Sequence, residues 1–472
     1  VPGSLVADAV DLENVAIADS GTLENGLAYE IYEDHAVITD CDTSAKGEMI
    51  IPDTIQGLPV TEIAKEAFRF CGFLTSVTVP DTVTQIGERA FSDCFALETI
   101  SLPDMITSIE NYAFYYCNSL QSITIPDQVT SIGEYAFYRC LDLTSVTLPD
   151  HITNIEESAF FECRSLESVT IPQSLAKLAP FAFGGCKALT KFHVDPENQN
   201  YMDVDGILFS KDQQTLVQYP AGRSEQSYTV PENVTVIGDG AFWKYDSLET
   251  IIIPDHVTEI GCAAFCSCTS LTAIEIPGSL TSISERTLED CSSLTAITIP
   301  DSVTSIGDYA FMDCTSLTAI TIPDRVTKIG VCAFGFCSAL DAITILNPDC
   351  NIQVYEKEEN NDFMDGKDHN AIWVEVENTI SKTAVIYGYL ESTAQAYAEK
   401  WGNLFIPLNE TPIESGILQG DADENGKIEI LDVVLMNRVY VGVDQISDSG
   451  KKNADTDQDG KITLSDSMNV LN

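Results

Sequence analysis

The sequence predicts a repeat solenoid: β-rich coils of short parallel strands and short helical turns, stacked along one axis and followed by a small α-helical module. Three observations predict it. Prolines return at one fixed interval, cysteines return in step with them, and two acidic twelve-residue loops close the chain.

Pro80, Pro103, Pro126, Pro149 and Pro172 are spaced by 23 residues, as are Pro231, Pro254, Pro277, Pro300 and Pro323. The step from Pro172 to Pro231 is 59, one period plus 36. With a longer first unit at Pro52 this gives about eleven units over residues 48–346. Residues 117–140, CNSLQSITIPDQVTSIGEYAFYRC, show the phrase. Ser-Ile-Thr-Ile alternates small polar with β-branched residues, as a strand with one buried face does. Pro ends that strand because it has no N–H for a ladder, and the Asp that follows it in eight units starts a turn. Val-x-x-Ile returns a second apolar pair to the core as a short strand. Gly-Glu-Tyr-Ala-Phe is expected to make one helical turn whose Ala-Phe plugs the interior. No unit can bury its Leu, Ile, Val and Phe alone, so neighbours must stack at a strand spacing of ~4.8 Å.

Ten of the 15 cysteines hold one register: Cys71, Cys94, Cys117, Cys140, Cys163, Cys186, Cys268, Cys291, Cys314 and Cys337. So regular a column reads as buried thiols packed like small hydrophobes rather than as disulfides. Cys41, Cys262, Cys266, Cys332 and Cys350 stand outside it. Residues 1–47 are expected to cap the first coil. Residues 195–228 read as a hairpin insertion, with GILFS and TLVQY around KDQQ, and residues 347–413 as a C-terminal cap and linker with a short helix near 392–401. The repeated phrase resembles the BspA-type leucine-rich repeats of bacterial surface and secreted proteins. Its departures are Thr287-Leu288 in place of Ala-Phe and Tyr245 in place of the column cysteine.

In DADENGKIEILD, residues 421–432, and DTDQDGKITLSD, residues 455–466, oxygen-bearing side chains surround a Gly at loop position 6, as a Ca2+ cage requires. The expected ligands of one ion are Asp421, Asp423, Asn425, the Lys427 carbonyl, Glu429 and Asp432. Those of a second are Asp455, Asp457, Asp459, the Lys461 carbonyl, Thr463 and Asp466. Glu429 and Thr463 would act directly or through water. Position 12 is Asp where a bidentate Glu is usual, and no entering helix precedes the first loop, so each unit reads as loop then helix. Residues 414–472 are the expected module, and over 418–472 it resembles the dockerin of cellulosomes. The resemblance implies that calcium organises two helices and that one helix face binds a cohesin module of a scaffoldin. It implies cohesin contacts at Ile430, Leu431, Leu464 and Ser465, with Val434, Leu435, Asn437 and Arg438 on the first helix. The two loop pairs differ from each other, so cohesin type and binding orientation stay open.

The charge is one-sided, 73 acidic against 24 basic residues for a net −49, which opposes phosphate backbones and anionic lipid. Neither nucleic acid nor membrane insertion is expected, and no apolar run approaches the ~20 residues of a membrane span. The chain opens on VPGSLVADAV without Met or a basic n-region, so any signal peptide is expected to have been removed. The expectation is a secreted, extracellular protein attached at a bacterial cell surface, monomeric apart from its cohesin complex. His35, His151, His193, His256 and His369 lack metal-ligand spacing, and no nucleophile or phosphate-loop signature appears. A non-catalytic protein is therefore expected, whose repeats bind a protein or polysaccharide. A dockerin-borne glycosidase and a structural spacer are the alternatives.

Three patches are candidates for that binding. The outward strand column runs Thr78, Ser101, Thr124, Thr147, Thr170, His193, Ile252, Glu275, Thr298, Thr321 and Thr344. Aromatics gather at Tyr112, Tyr115, Tyr116, Tyr135, Tyr138 and Phe161, and Asp81, Asp104, Asp127 and Asp150 should form a row.

Overall fold

The computed structural model describes residues 17–354, 380–382 and 384–408. The two acidic loops, with every calcium and cohesin residue named in them, lie outside the described residues.

Each repeat makes one coil with three sides. On the first, Ser-x-Thr segments pair in parallel at the repeat step, as in Ser122–Thr124 on Ser145–Thr147 and Ser168–Ile171 on Lys191–Val194. On the second, two-residue strands carry the Val-x-x-Ile phrase, from Ser108–Ile109 through Ser131–Ile132 and Asn154–Ile155 to Lys177–Leu178. The β-branched residues of both sides, among them Ile123, Ile132, Val146 and Ile155, point inward and are buried. Pro turns the chain between the sides: the Val83 N–H donates to the Pro80 carbonyl at 3.0 Å.

The third side is not the expected helical turn. Arg89, Asp93, Tyr112 and Tyr116 have φ between 56° and 63°, and left-handed residues four apart break a helix into separate tight turns. The N–H groups of Arg89, Phe91 and Asp93 donate instead to the Asn111, Ala113 and Tyr115 carbonyls of the next coil, at 2.7–3.0 Å. The same three bonds recur at 66–70, 112–116, 135–139, 158–162, 240–244, 263–267, 286–290 and 309–313. The side chains between them fill the interior. Phe68, Phe91, Phe114, Phe137, Phe160 and Phe183 stack with ring centroids 4.9–5.5 Å apart. Leu288 takes the Phe place in its coil and is fully buried, while the Thr287 hydroxyl donates to the Ser284 carbonyl at 2.8 Å.

The column cysteines are free, buried thiols. They are also donors: Cys94, Cys117 and Cys140 each give the S–H to the Phe carbonyl of the preceding coil, at 3.1, 3.2 and 3.3 Å. The bond recurs as far as Cys337 on Phe311. Burial pushes the Cys186 and Cys337 thiols up to about 12, so neither offers a thiolate near neutral pH.

Both ends of the array are covered. Asp19–Thr22, Leu27–Ile31 and Ala36–Cys41 form an antiparallel meander whose last strand pairs in parallel with Leu58–Ile63. At the far end Val385–Gly388 and Phe405–Pro407 extend the sheet of Ala342–Ile345 in parallel, joined by the helix Thr393–Trp401. Ser392 caps that helix by accepting the Gln395 N–H, and Gly402 ends it at φ 80°.

The 59-residue step holds one ordinary coil and one enlarged coil. Tyr201–Val204, Ile207–Ser210 and Thr215–Gln218 form an antiparallel meander, and its last strand then pairs in parallel with Val236–Ile237. Tyr219 stacks on Phe242 at 5.1 Å and so fills the Phe column. Here the core divides into two clusters, one containing Leu208 and the other Ile207 and Phe209.

Candidate functional site

The enlarged coil is where the surface chemistry changes. Along the strand face Thr124 pairs with Thr147 and Thr170 with His193, whereas Ile252 pairs with Thr229, a further member of this column 23 residues before it. The Thr and Ser side chains before it are exposed, as are His193, Glu275 and Ile252, the last 63% so. Thr344 is the exception, 3% exposed beneath the terminal strands.

On the third side the enlarged coil takes a short cut through Gln218 and Tyr219. This leaves a cleft of about 210 Å3 between Leu178–Phe183 on one wall and Tyr201, Thr215, Val217, Gln218, Gly238 and Asp239 on the other. Side chains reach across the gap. Phe161 and Phe181 meet Trp243 edge-on at 5.3 and 5.4 Å. Lys187 pairs with Asp246 at 2.5 Å. Glu162, with a side chain 5% exposed, accepts bonds from Arg139 at 2.8 Å, Arg164 at 2.9 Å and Lys244. Burial alone would raise its carboxyl, but the Lys244 bond and the three cations win and hold it at about 2. Nothing in the repeat phrase marks this residue. Its signal is a carboxylate standing where neighbouring coils place Tyr116 and Arg139.

Comparison with known proteins fits this architecture. The family described as BspA type leucine rich repeat region matches residues 59–204 and 224–356. The chain belongs to that family. Its leucine-rich repeat array is similar to a leucine rich cell surface protein from Faecalibacterium prausnitzii, at 30% identity over 72% of this chain and 95% of that one, with a TM-score of 0.58. It is also similar to the pneumococcal vaccine antigen PcpA, at 22% identity over 83% of this chain and 99% of that one, TM-score 0.63, a likeness of fold. No curated protein matches. The dockerin type I family matches residues 419–472, which carry both acidic loops. Dockerins bind calcium and imply a cohesin partner.

The remaining patches of the repeat array separate on geometry. Tyr112 stacks on Tyr135 at 5.1 Å, Tyr115 on Tyr138 at 5.0 Å and Tyr138 on Phe161 at 5.4 Å, all within 16° of parallel. Arg89 lies over Tyr112 at 4.3 Å. The rings cover one another's faces, so this patch is coil-to-coil packing and not an open stacking platform for sugar. Asp81, Asp104, Asp127 and Asp150 are exposed turn residues, in keeping with solvation by water. Among the described residues no group of three His, Cys, Asp or Glu is placed to hold a metal ion. Among them, too, no helix is long and apolar enough to cross a membrane.

Proposed function

We propose that this protein is a non-catalytic, secreted component of a cellulosome. Its dockerin plugs into a scaffoldin cohesin in a calcium-dependent manner, and its leucine-rich repeats serve as a module that binds a protein or polysaccharide. The observation that carries the reading is the union, in one chain, of a dockerin match at 419–472 with a repeat array spanning most of the remainder. Neither family is a catalytic module. Two calcium ions are assigned, one to Asp421, Asp423, Asn425, Lys427, Glu429 and Asp432, the other to Asp455, Asp457, Asp459, Lys461, Thr463 and Asp466. The cohesin contacts are Ile430, Leu431, Val434, Leu435, Asn437, Arg438, Leu464 and Ser465. Attachment at the bacterial surface follows from the scaffoldin.

The test is titration of the full chain against a panel of cohesins with Ca2+ and with chelator. Capture is expected only with Ca2+, and Asp421→Ala with Asp455→Ala abolishes it while the circular dichroism of the repeats is unchanged. Full-affinity capture by that double variant sinks the assignment.

A further inference from the structure

Ordinary coils close their third side by donating three alternate N–H groups to the next coil. In the coil before the enlarged one, the 23-residue register makes those donors Phe181, Phe183 and Gly185, the successors of Ser158, Phe160 and Glu162. The latter three donate to the Pro180, Ala182 and Gly184 carbonyls at 2.8–3.3 Å, but their successors meet no acceptor among the described residues. The short cut explains why: the Ala241 carbonyl of the following ordinary coil receives the Tyr219 N–H at 2.7 Å. Phe181 and Gly185 nevertheless keep the left-handed φ of the pattern, 59° and 69°. Phe183 and Gly185 are buried, where an N–H without an acceptor is costly. Independently, the cleft opens on Phe181 and Phe183. Beside it Trp243, edge-on to Phe181, buries its indole Nε1 without a partner.

We propose that this cleft binds an extended peptide segment of a partner protein, whose alternate backbone carbonyls accept the N–H groups of Phe181 and Phe183, the two of these donors that line it. The proposal rests on reading the repeats as a binding module and names what they bind. Donors on alternate residues match the spacing at which an extended chain turns its carbonyls to one side. Leu178, Ala179, Pro180 and Val217 give the site apolar walls suited to peptide side chains. The Phe181 and Phe183 N–H groups need acceptors alone, which a peptide backbone supplies in a row, whereas a glycan would bring hydroxyl donors that turn to the Asp239 carboxylate, where one oxygen already takes the Cys262 N–H at 2.7 Å. The Gln218 amide nitrogen is a donor already committed to the Tyr219, Gly240 and Ala241 carbonyls, so it does not compete for the ligand's carbonyls. A free anion would meet Asp239 in the wall.

Hydrogen–deuterium exchange of the full chain, read over 181–186 and over 158–163 as the internal control, tests this. The probes are the capped peptide acetyl-AVAVA-amide and, separately, cellohexaose. Recognition through the main chain makes a generic sequence sufficient. In the free chain the amides at 181–186 should exchange far faster than those at 158–163. Nine-tenths occupancy by the peptide should slow them ~tenfold, with cellohexaose inert. Val217→Phe, which fills the cleft, should abolish the slowing while the control segment keeps its protection. The proposal is overturned if the amides are already as slow as the control, which would mean trapped water or an internal partner satisfies them. It is equally overturned if millimolar peptide slows nothing, or if cellohexaose protects them and the peptide does not. Binding of the whole chain to a protein or glycan elsewhere would then leave the binding-module reading standing without this site.

Discussion

Glu162→Gln is the sharpest probe of how the two halves of the array are held together. The substitution keeps the shape and removes only the charge that faces Arg139, Arg164 and Lys244. Holding the carboxyl at about 2, against an ordinary value of 4.5, is worth about 2 kcal/mol once solvent screening is allowed for. Leaving three cations around a neutral amide acts in the same direction. Because the folded-state value is depressed, the stabilisation is complete above the unfolded carboxyl range of ~4.3 and drains away as pH falls towards 2. Urea unfolding followed by tryptophan fluorescence reports on the place, since Trp243 touches Phe161 next to the carboxylate. The gap between wild type and variant should be about 2 kcal/mol at pH 7 and close as pH falls to ~2. An undiminished gap at low pH, or none at pH 7, would refute the idea that charge pairing closes the cleft's outer rim.

Phe137→Ala removes a fully buried ring stacked at 5.1 and 5.0 Å on its neighbours, and should cost about 3–5 kcal/mol in the same unfolding assay. Cys140→Ala, which deletes the S–H bond to Phe114 and a small buried volume, should cost about 1–2 kcal/mol. A thiol reagent should leave the column cysteines untouched in the native chain and label them once urea has opened it, because all of them are buried out of its reach.

Much of this was legible because one phrase is copied with little change. A strand ended by Pro and a second apolar pair follow from residue type alone, and so do the inward Ile and Val that the structure buries. The third side was misjudged as helical because Ala-Phe flanked by polar residues suits a helix equally well. What decides it is a left-handed backbone at Arg89, Asp93 and their equivalents, which non-glycine sequences do not announce. The cysteine column was legible as buried and free, but its role as a donor was not, since nothing in spacing tells a filler from a hydrogen-bonding partner. The cleft escaped notice for a different reason. It arises where a coil departs from the repeat, and Gln218, Tyr219 and Asp239 carry no motif. The two acidic loops stand out in the sequence because a Ca2+ cage needs its oxygen ligands at fixed positions of one short turn.

The one-way donation along the third side also gives the array a direction. Cut between any two ordinary coils, it would yield one piece ending in three spare donors and another beginning with three spare acceptors. Such halves could rejoin in a single order and sense, as the teeth of a ratchet engage. That polarity makes the scaffold a natural starting point for split-protein reporters, and one that could be lengthened by splicing in whole 23-residue units.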